Sequence, residues 1–216
     1  NMEEILIIGA GGFGREVLWT INDCNQINDK YSIIGFIDDD KSLHGQKIDG
    51  IPVLGGLEWF DNNYKKSVSC VITVGDSIQR GKIVKQLEKN DPTYTNIIHP
   101  TVIFSKLVTI GEGTIIQAGS ILTVNIKIGK HVHINIDSTI GHDSNINDYV
   151  TINPGVHING KTQIGNSVNI GSGTVMKQEI KIGAGSIIGA GSVLLEDVLE
   201  GSLYVGVPAK LKRKLN

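Results

Sequence analysis

Residues 134–170 read INIDSTIGHDSNINDYVTINPGVHINGKTQIGNSVNI, and an isoleucine occupies every sixth position of this stretch. The same register extends over 98–194, where every sixth residue is Ile, Leu, Met or Phe and nothing interrupts the spacing. A period of six matches neither an α-helix, which repeats every 3.6 residues, nor a single strand, which repeats every two. It is typical of a parallel β-helix in which each hexad supplies one short side and one corner.

With three sides per coil, about 18 residues complete one turn, and successive coils stack at about 4.8 Å. The six-residue apolar column is predicted to point into the prism and form its core. Small or β-branched residues recur two positions before the column, and Gly or Asn often follows it directly, as at Gly111, Gly141 and Asn153. We expect these following residues to adopt the positive φ angles of tight corners.

The N-terminal part has a different pattern, which begins with a short apolar run at 5–8. Gly9-Ala10-Gly11-Gly12-Phe13-Gly14 follows and precedes an amphipathic segment, so we predict a strand, a Gly-rich turn and a helix. Glycines in such a turn let the backbone approach a phosphate at the helix N-terminus. A second strand at 32–37 ends in the run 38–40, Asp-Asp-Asp, where a carboxylate can meet a ribose or a base edge.

Further periodicity predicts a helix at 57–62, a strand at 68–74, a helix at 78–87 and a strand at 94–98 that leads into the solenoid. The pattern is βαβ-like and about half the size of a full dinucleotide-binding domain. A smaller nucleotide-bearing ligand therefore fits better than a nicotinamide dinucleotide. A tight turn that binds nothing is the structural alternative.

Within the regular hexads, His142 and Asp143 directly follow the corner Ile140-Gly141. Gly160 lies 18 residues after His142 and is predicted to stack beside it on the next coil. A histidine held by a carboxylate can take a proton from an attacking amine or hydroxyl, and a nearby backbone N–H can stabilise an oxyanion. A solvated corner histidine without a catalytic role is the alternative.

The remaining histidines do not form a ligand set. His131 and His133 are two residues apart and are expected to point the same way from a flat side, with no third ligand. His157 is predicted at the surface, His99 in a structural role and His44 in a loop. We therefore predict no metal.

Composition sets further bounds on this 216-residue chain, whose formal net charge is −2. This balance argues against a nucleic-acid partner. Cys24 and Cys70 fall in different predicted elements and are expected to be free, buried thiols in a reducing cytoplasm. No apolar stretch approaches a membrane-spanning length, and the first is too short for a signal peptide, so we expect no membrane insertion.

After residue 194 the register stops, and the closing segment is predicted to cover the open β edge of the solenoid. It is basic, with Lys210, Lys212, Arg213 and Lys214. Such a run is typical of a solvated helix face, and it can also meet the phosphates of a ligand.

These features together resemble the left-handed β-helix (hexapeptide-repeat) nucleotide-sugar acetyltransferases, a family that includes sialic acid O-acetyltransferases. The resemblance rests on the Gly-rich turn 9–14, the Asp run 38–40, the entry sequence IIHP at 97–100, the motif IGHD at 140–143 and the closing sequence VGVPAK at 205–210. It implies a Rossmann-like nucleotide-sugar-binding domain, a left-handed parallel β-helix that carries acetyl-CoA, and a cap with a basic tail. The corresponding boundaries are 1–97, 98–196 and 197–216.

The resemblance further implies a homotrimer with acetyl-CoA between neighbouring solenoids. His142 corresponds to the catalytic base, Asp143 to its acidic companion, and Gly160 to the glycine whose N–H meets the thioester carbonyl. The further residues expected to line the coenzyme are Ser172, Gly189, Ala190 and, near its far end, Lys210. The residues expected at the nucleotide-sugar are Gly9, Gly11, Gly12 and Phe13 in the turn, with Asp38 or Asp39 at the base or ribose.

Many members have His at the position of Phe13, and the sequence Phe13-Gly14-Arg15-Glu16 resembles 4-amino-sugar N-acetyltransferases of O-antigen synthesis. The leading hypothesis is therefore acetyl transfer to the 4-amino group of a nucleotide-linked amino-dideoxy sugar. O-acetylation of a sialic acid is the second hypothesis within the family.

Three hypotheses come from different functional classes: a nicotinamide-dependent oxidoreductase, a scaffold without activity and a hexapeptide-repeat carbonic anhydrase. The oxidoreductase requires NAD(P) to bind the Gly-rich turn. The carbonic anhydrase requires three histidine ligands between subunits, and Asn147 stands where that family would place one of them.

Overall fold

The computed structural model describes residues 2–215 and comprises an α/β portion followed by a long three-sided β-helix. The N-terminal elements are β1 (Glu3–Ile8), α1 (Gly12–Ile27), β2 (Tyr31–Ile37), a 3₁₀ turn (Lys41–Leu43), β3 (Lys47–Ile48), β4 (Ile51–Gly55), α2 (Leu57–Asn63), β5 (Ser69–Ile72), α3 (Ser77–Leu87), a second 3₁₀ turn (Glu88–Asn90) and β6 (Thr93–Tyr94).

The N-terminal strands form one sheet in the order β3-β4-β2-β1-β5-β6, with β1 parallel to both β2 and β5. The chain leaves β1 toward β2 on one side and later returns to β5 on the other. Ligands of open α/β sheets bind outside the carboxyl ends of the strands at such a switch point. The strand predicted over 94–98 is in fact two, because β6 pairs with β5 whereas β7 (Ile97–Ile98) already pairs within the solenoid.

The solenoid consists of two-residue strands that form three parallel sheets, one for each side of the prism. The first face contains β7, β10 (Ile115–Ile116), β13 (His133–Ile134), β16 (Thr151–Ile152), β19 (Asn169–Ile170) and β22 (Ile187–Ile188). The second face contains β8 (Ile103–Phe104), β11 (Ile121–Leu122), β14 (Thr139–Ile140), β17 (His157–Ile158), β20 (Val175–Met176) and β23 (Val193–Leu194). The third face contains β9 (Thr109–Ile110), β12 (Lys127–Ile128), β15 (Asn145–Ile146), β18 (Gln163–Ile164) and β21 (Lys181–Ile182).

Every coil is in register with the next at a spacing of 18 residues, as in the pairing of Ile140 with Ile158. The column predicted to form the core is buried from Ile116 to Leu194, and the small residues two positions earlier are buried beside it, as at Ser138. Phe104 departs from the prediction and is 43% exposed, because it lies on the first strand of the second face, where no preceding coil covers it. The architecture is the predicted left-handed parallel β-helix.

The prediction that residues directly after the core column adopt positive φ angles is wrong. Positive φ angles occur three residues after the core column, as at Asn125 and Asp143, and not directly after it. Glycine is needed directly after the column for space, because the coils stack there backbone against backbone: an ideal Cβ on Gly141 would lie 2.6 Å from the amide nitrogen of Gly160.

The basic tail is not a helix face. It forms a hairpin from β24 (Ser202–Gly206) and β25 (Ala209–Lys214), which adds to the end of the first face through the pairing of β22 with β24. The hairpin turn includes a cis peptide bond between Val207 and Pro208. The edge of the last coil on this face is thereby covered by backbone pairing, as a solenoid end requires.

The α/β portion packs on the first face through a buried arginine that sequence reasoning missed. Arg80 of α3 is 0% exposed, and its guanidinium donates to the carbonyl oxygens of His131 at 2.9 Å, Val74 at 2.7 Å and Tyr149 at 2.8 Å. Burial lowers the Arg80 pKa to about 9. Carbonyl dipoles from both parts of the chain, rather than a carboxylate, compensate this charge, so the two parts are joined at a fixed position.

Further contacts extend the same interface along the first face and its two bordering corners. Ser77 donates to the Ser167 carbonyl at 2.9 Å, and Thr20 hydrogen-bonds Gln117. His99 lies 3.0 Å from the carboxylate of Asp23. The α/β portion therefore covers the early coils of the first face and leaves the opposite corner of the prism, between the second and third faces, open.

Candidate active site

His142 and Asp143 lie at this opposite corner, between β14 on the second face and β15 on the third. His142 Nδ1 is 2.8 Å from Asp143 Oδ2, and the two side chains are 53% and 42% exposed. Asp143 has φ +60°, and this left-handed backbone turns its carboxylate back toward the preceding imidazole. A carboxylate accepts only, so this contact places the proton on Nδ1 and leaves the Nε2 lone pair free to accept one.

Gly160 lies beneath the free edge of the imidazole, one coil further along. An ideal Cβ at Gly160 would be 2.6 Å from His142 Nε2, and the His142 carbonyl accepts from Lys161 N–H at 2.7 Å. The Gly160 N–H has no hydrogen-bond partner within residues 2–215. The structure thus brings the predicted base, its carboxylate and a free backbone donor to one corner.

A fourth residue at this corner was not anticipated. Asn125, one coil before Asp143, donates from its side-chain amide to Asp143 Oδ1. The hydrogen bonds from His142 and Asn125 lower the Asp143 pKa, so the carboxyl group stays ionised. No motif marks Asn125, and its only signal in the sequence is the 18-residue offset from Asp143.

The Gly-rich turn connects β1 to α1, as predicted. No side chain caps α1, and an ideal Cβ at Gly11 or Gly12 would meet nothing within 4 Å. The first N–H groups of a helix have no intrahelical partner, so this end is an open site for an anion. Gly9 has φ +107°, and a Cβ on Gly14 would overlap the Gly9 carbonyl, which explains two of the glycines by backbone geometry.

The two aspartates after β2 take different roles. Asp38 accepts from Ala10 N–H at 2.8 Å and from Asp40 N–H at 2.9 Å, so both of its oxygens are occupied in holding the Gly-rich turn. Asp39 accepts from Leu57 N–H at 2.8 Å and is otherwise exposed. It lines both a cavity of about 200 Å³ beside Gly9 and a wider cleft of about 550 Å³. Asp38 also lines the smaller cavity, so both aspartates border space for a ligand, and Asp39 is the more exposed of the two.

Phe13 does not stand alone in the Gly-rich turn. Its ring packs on the imidazole of His133 with 4.9 Å between centroids. His133 is buried, contacts Arg80 at 3.1 Å through Nδ1 and lies 2.9 Å from the Ile72 carbonyl through Nε2. Phe13 therefore links the turn to the first face of the solenoid.

The remaining predicted coenzyme residues do not lie beside His142. Ser172, Gly189 and Ala190 are at the corner between the first and second faces, and Lys210 is on the terminal hairpin, 3.5 Å from Glu196. Within one chain, a full face of the prism separates these residues from the His142 corner. They can meet the same small molecule only if two chains contribute to one site.

The expectation that His131 and His133 share a flat side is wrong, because His133 lies on β13 whereas His131, with φ +52°, lies at the corner before it. Both are buried in the contact between the α/β portion and the solenoid, and the His131 ring stacks on Tyr149 with 5.6 Å between centroids. The described part of the chain contains no group of three or more His, Cys, Asp or Glu side chains suited to a metal ion. The absence of a metal stays a prediction.

Both cysteines are free, and Cys70 is buried whereas Cys24 is only half-buried. Burial raises the pKa of the Cys70 thiol to about 12. Within residues 2–215 there is no helix long and apolar enough to cross a membrane.

Two family models match the chain: the PglD N-terminal domain over residues 4–87 and the bacterial transferase hexapeptide over residues 161–196. A curated relative, a UDP-N-acetylbacillosamine N-acetyltransferase of Bacillus subtilis, is 30% identical over 126 residues. That alignment covers 54% of this chain and 52% of the relative, about half the length of each.

Two solved structures match almost the whole chain. WeeI from Acinetobacter baumannii AYE is 35% identical with a TM-score of 0.86, over 98% of this chain and all of that one. A variant of perosamine N-acetyltransferase from Caulobacter crescentus, in complex with CoA and GDP-perosamine, is 25% identical with a TM-score of 0.88, over 99% of both chains. With the Gly-rich turn, the hexapeptide prism and the His142 corner in place, the chain belongs to the family of hexapeptide-repeat nucleotide-sugar N-acetyltransferases.

Proposed function

We propose that this protein transfers the acetyl group of acetyl-CoA to the 4-amino group of a nucleotide-linked amino-dideoxy sugar. The observation that carries this proposal is the corner where His142, Asp143 and the free Gly160 N–H converge. The solved relative with CoA and GDP-perosamine supports the same pair of substrates.

In this mechanism the amine nitrogen of the sugar attacks the thioester carbon, and His142 Nε2 takes the proton that the nitrogen loses. The Gly160 N–H donates to the oxygen of the tetrahedral intermediate. When the intermediate collapses, the carbon–sulfur bond breaks and the CoA thiolate receives the proton from the imidazolium. Asp143 holds Nδ1–H throughout and stabilises the cation that forms transiently.

The acceptor and the base come from different chains in this proposal. The Gly-rich turn lies over the first face, and His142 lies at the corner opposite that face. The α/β portion of one chain therefore cannot present a sugar to its own His142. A neighbouring copy can present the sugar to this His142. Its corner between the first and second faces, which is expected to line the coenzyme, then lies against the His142 corner.

The second face supports a homotrimer of this kind. Four of its six outward positions form an apolar strip that the polar Thr139 and His157 interrupt: Ile103, Ile121, Val175 and Val193. Ile103, Ile121 and Val175 are 63%, 38% and 39% exposed. The outward positions of the third face are polar instead: Thr109, Lys127, Asn145, Gln163 and Lys181. An exposed apolar strip on a regular prism fits burial against copies of the same chain. If this strip faces the threefold axis, each His142 corner borders the neighbour's corner between the first and second faces.

The nucleotide-sugar is assigned to the Gly-rich turn, with Gly9, Gly11 and Gly12 at the phosphates and Asp39 at the ribose or base. Asp38 supports this site indirectly by fixing the turn. Such a product serves the synthesis of lipopolysaccharide or another surface glycan, and we place the reaction in the cytoplasm, where nucleotide-sugars and acetyl-CoA meet.

The test is thiol release from acetyl-CoA with a panel of UDP-, dTDP- and GDP-linked 4-amino sugars, for the wild type beside His142→Ala. We expect release with one amino sugar and a loss of about 100-fold or more in the variant, as for the removal of a general base. Release that survives the substitution contradicts the role of His142. Activity on a sialic acid hydroxyl, with none on any amino sugar, would favour O-acetylation instead.

A further inference from the structure

The corner between the second and third faces carries a ladder of polar side chains at 18-residue spacing. Asn125, Asp143, Lys161 and Glu179 occupy equivalent positions on successive coils, all with positive φ. Asn125 donates to Asp143 Oδ1, and Lys161 Nζ lies 3.3 Å from Glu179 Oε1. Their roles differ, because only Asp143 also contacts an imidazole.

We propose that Asn125 is a positioning residue for the reaction: its amide fixes the Asp143 carboxylate, which in turn fixes the ring orientation and tautomer of His142. This inference rests on the proposed function for its consequence in catalysis. It goes beyond that function because it assigns a role to a side chain that acts through Asp143 and His142.

The chemistry of the amide determines the direction of each hydrogen bond. A carboxylate has no proton to offer, so Asn125 can only donate to Asp143 Oδ1 through its NH₂ group. Oδ2 is then left for His142, which must present Nδ1–H to it at 2.8 Å. The chain of contacts ends with an unprotonated Nε2 directed over Gly160, as proton abstraction requires.

Charge explains why an amide suits position 125. The hydrogen bonds from His142 and Asn125, together with the nearby Lys161 ammonium, lower the pKa of Asp143. A second carboxylate at 125 would raise it, and a lysine there would compete with His142 for Oδ2. Asn donates without changing the charge, and it tolerates the φ of +56° at this position better than most residues.

The experiment compares Asn125→Gly and Asn125→Asp with the wild type. Gly keeps the positive φ and removes the amide, whereas Asp keeps the shape and adds a carboxylate. Glu179→Gly is the matched control, because Glu179 has a φ of +65° at the equivalent position two coils after Asp143, and its side chain contacts Lys161 rather than Asp143 or His142. The enzyme is studied as its full-length assembly.

The first measurement is the ¹⁵N spectrum of histidine-labelled protein, in which the His142 signals are identified by their absence from His142→Ala. We expect one tautomer, Nδ1–H, in the wild type and in Glu179→Gly, and a mixture of both tautomers in Asn125→Gly. The second is steady-state kinetics, where kcat of Asn125→Gly should fall about 10-fold while KM for acetyl-CoA stays within about 2-fold. In Asn125→Asp the two neighbouring carboxylates repel each other, so the pair binds a proton at a higher pH than Asp143 alone. The decrease of kcat/KM on the acid side of the pH profile should therefore begin at a higher pH.

The proposal is overturned if Asn125→Gly keeps the wild-type tautomer and kcat, or if Glu179→Gly loses as much kcat as Asn125→Gly. The spectrum does not depend on the acceptor. If no sugar is acetylated and the tautomer still changes in Asn125→Gly, the proposed function fails while the positioning of His142 by Asn125 stands.

Discussion

The backbone of Gly160 passes so close to the imidazole of His142 that a side chain on Gly160 has no room, since its Cβ would lie 2.6 Å from Nε2. We predict that Gly160→Ala folds normally, because Gly160 has no positive φ that a side chain would strain. The displaced ring should lower kcat about 100-fold, in keeping with the cost of misplacing a reacting group by about 1 Å. Gly81→Ala is the control, because its Cβ would meet only the Tyr149 ring at 3.9 Å. Full activity in Gly160→Ala would show that this contact is unimportant.

Mixed oligomers test whether two chains build one site. Gly12→Asp puts a carboxylate into open space at the start of α1, where it suits the helix dipole and opposes a phosphate. We expect Gly12→Asp and His142→Ala to be inactive alone. Co-expressed in equal amounts, they should recover about a quarter of wild-type activity, because random mixing gives that share of intact interfaces. Purification through two different affinity tags, one on each variant, verifies that the oligomers are mixed. Mixed oligomers without activity would contradict a shared site.

The apolar strip on the second face predicts how the chain assembles. Val175→Glu should dissociate the oligomer, because three carboxylates near one axis lose their hydration and repel one another. Light scattering coupled to size-exclusion chromatography should then report about 23.3 kDa, the mass of one chain. Gln163→Glu, an exposed change on the polar third face, is the control and should leave the mass at three chains. A trimer that persists in Val175→Glu places the interface elsewhere.

The buried guanidinium predicts a large effect on stability. Arg80→Ala removes the donor from at least three carbonyl groups and should lower the free energy of unfolding by about 3 kcal/mol or more. Arg15→Ala is the matched control, since its guanidinium is 60% exposed and pairs only with Asp49. Urea titration measures both. A loss below about 1 kcal/mol in Arg80→Ala, the value of an exposed pair, would mean that the interface does not depend on Arg80.

Acid should weaken the same interface through His131. Burial lowers the His131 pKa to about 4, below the ordinary value of 6.5 that applies to the unfolded chain. The unfolded state therefore binds more protons between these values, so stability is fully present above pH 6.5 and is lost as the pH falls toward 4. This loss amounts to about 3 kcal/mol for one such group.

Unfolding measured from about pH 7 to about pH 4.5 should show a smaller loss for His131→Asn, which tolerates the φ of +52° at this position. His133 also has a lowered pKa and acts in the same direction, so some pH dependence remains. Equal slopes for His131→Asn and the wild type would contradict the prediction.

The sequence by itself determined the prism, because a six-residue period can bury the column from Ile116 to Leu194 in only one way, with coils in register. It also placed Gly160 beside His142, because residues 18 apart occupy equivalent positions on successive coils. The strand, Gly-rich turn and α1 followed from local spacing. These are short-range or strictly periodic relationships, and each can be counted along the chain.

Only the tertiary structure showed how the α/β portion docks on the solenoid and which corner of the prism it leaves open. The burial of Arg80 against carbonyls from the solenoid depends on how two independently patterned parts dock, and no period connects them. The role of Asp38 in holding the turn likewise depends on the direction of its side chain. Such contacts arise between residues far apart in sequence, where local propensity and periodicity carry no information about the partner.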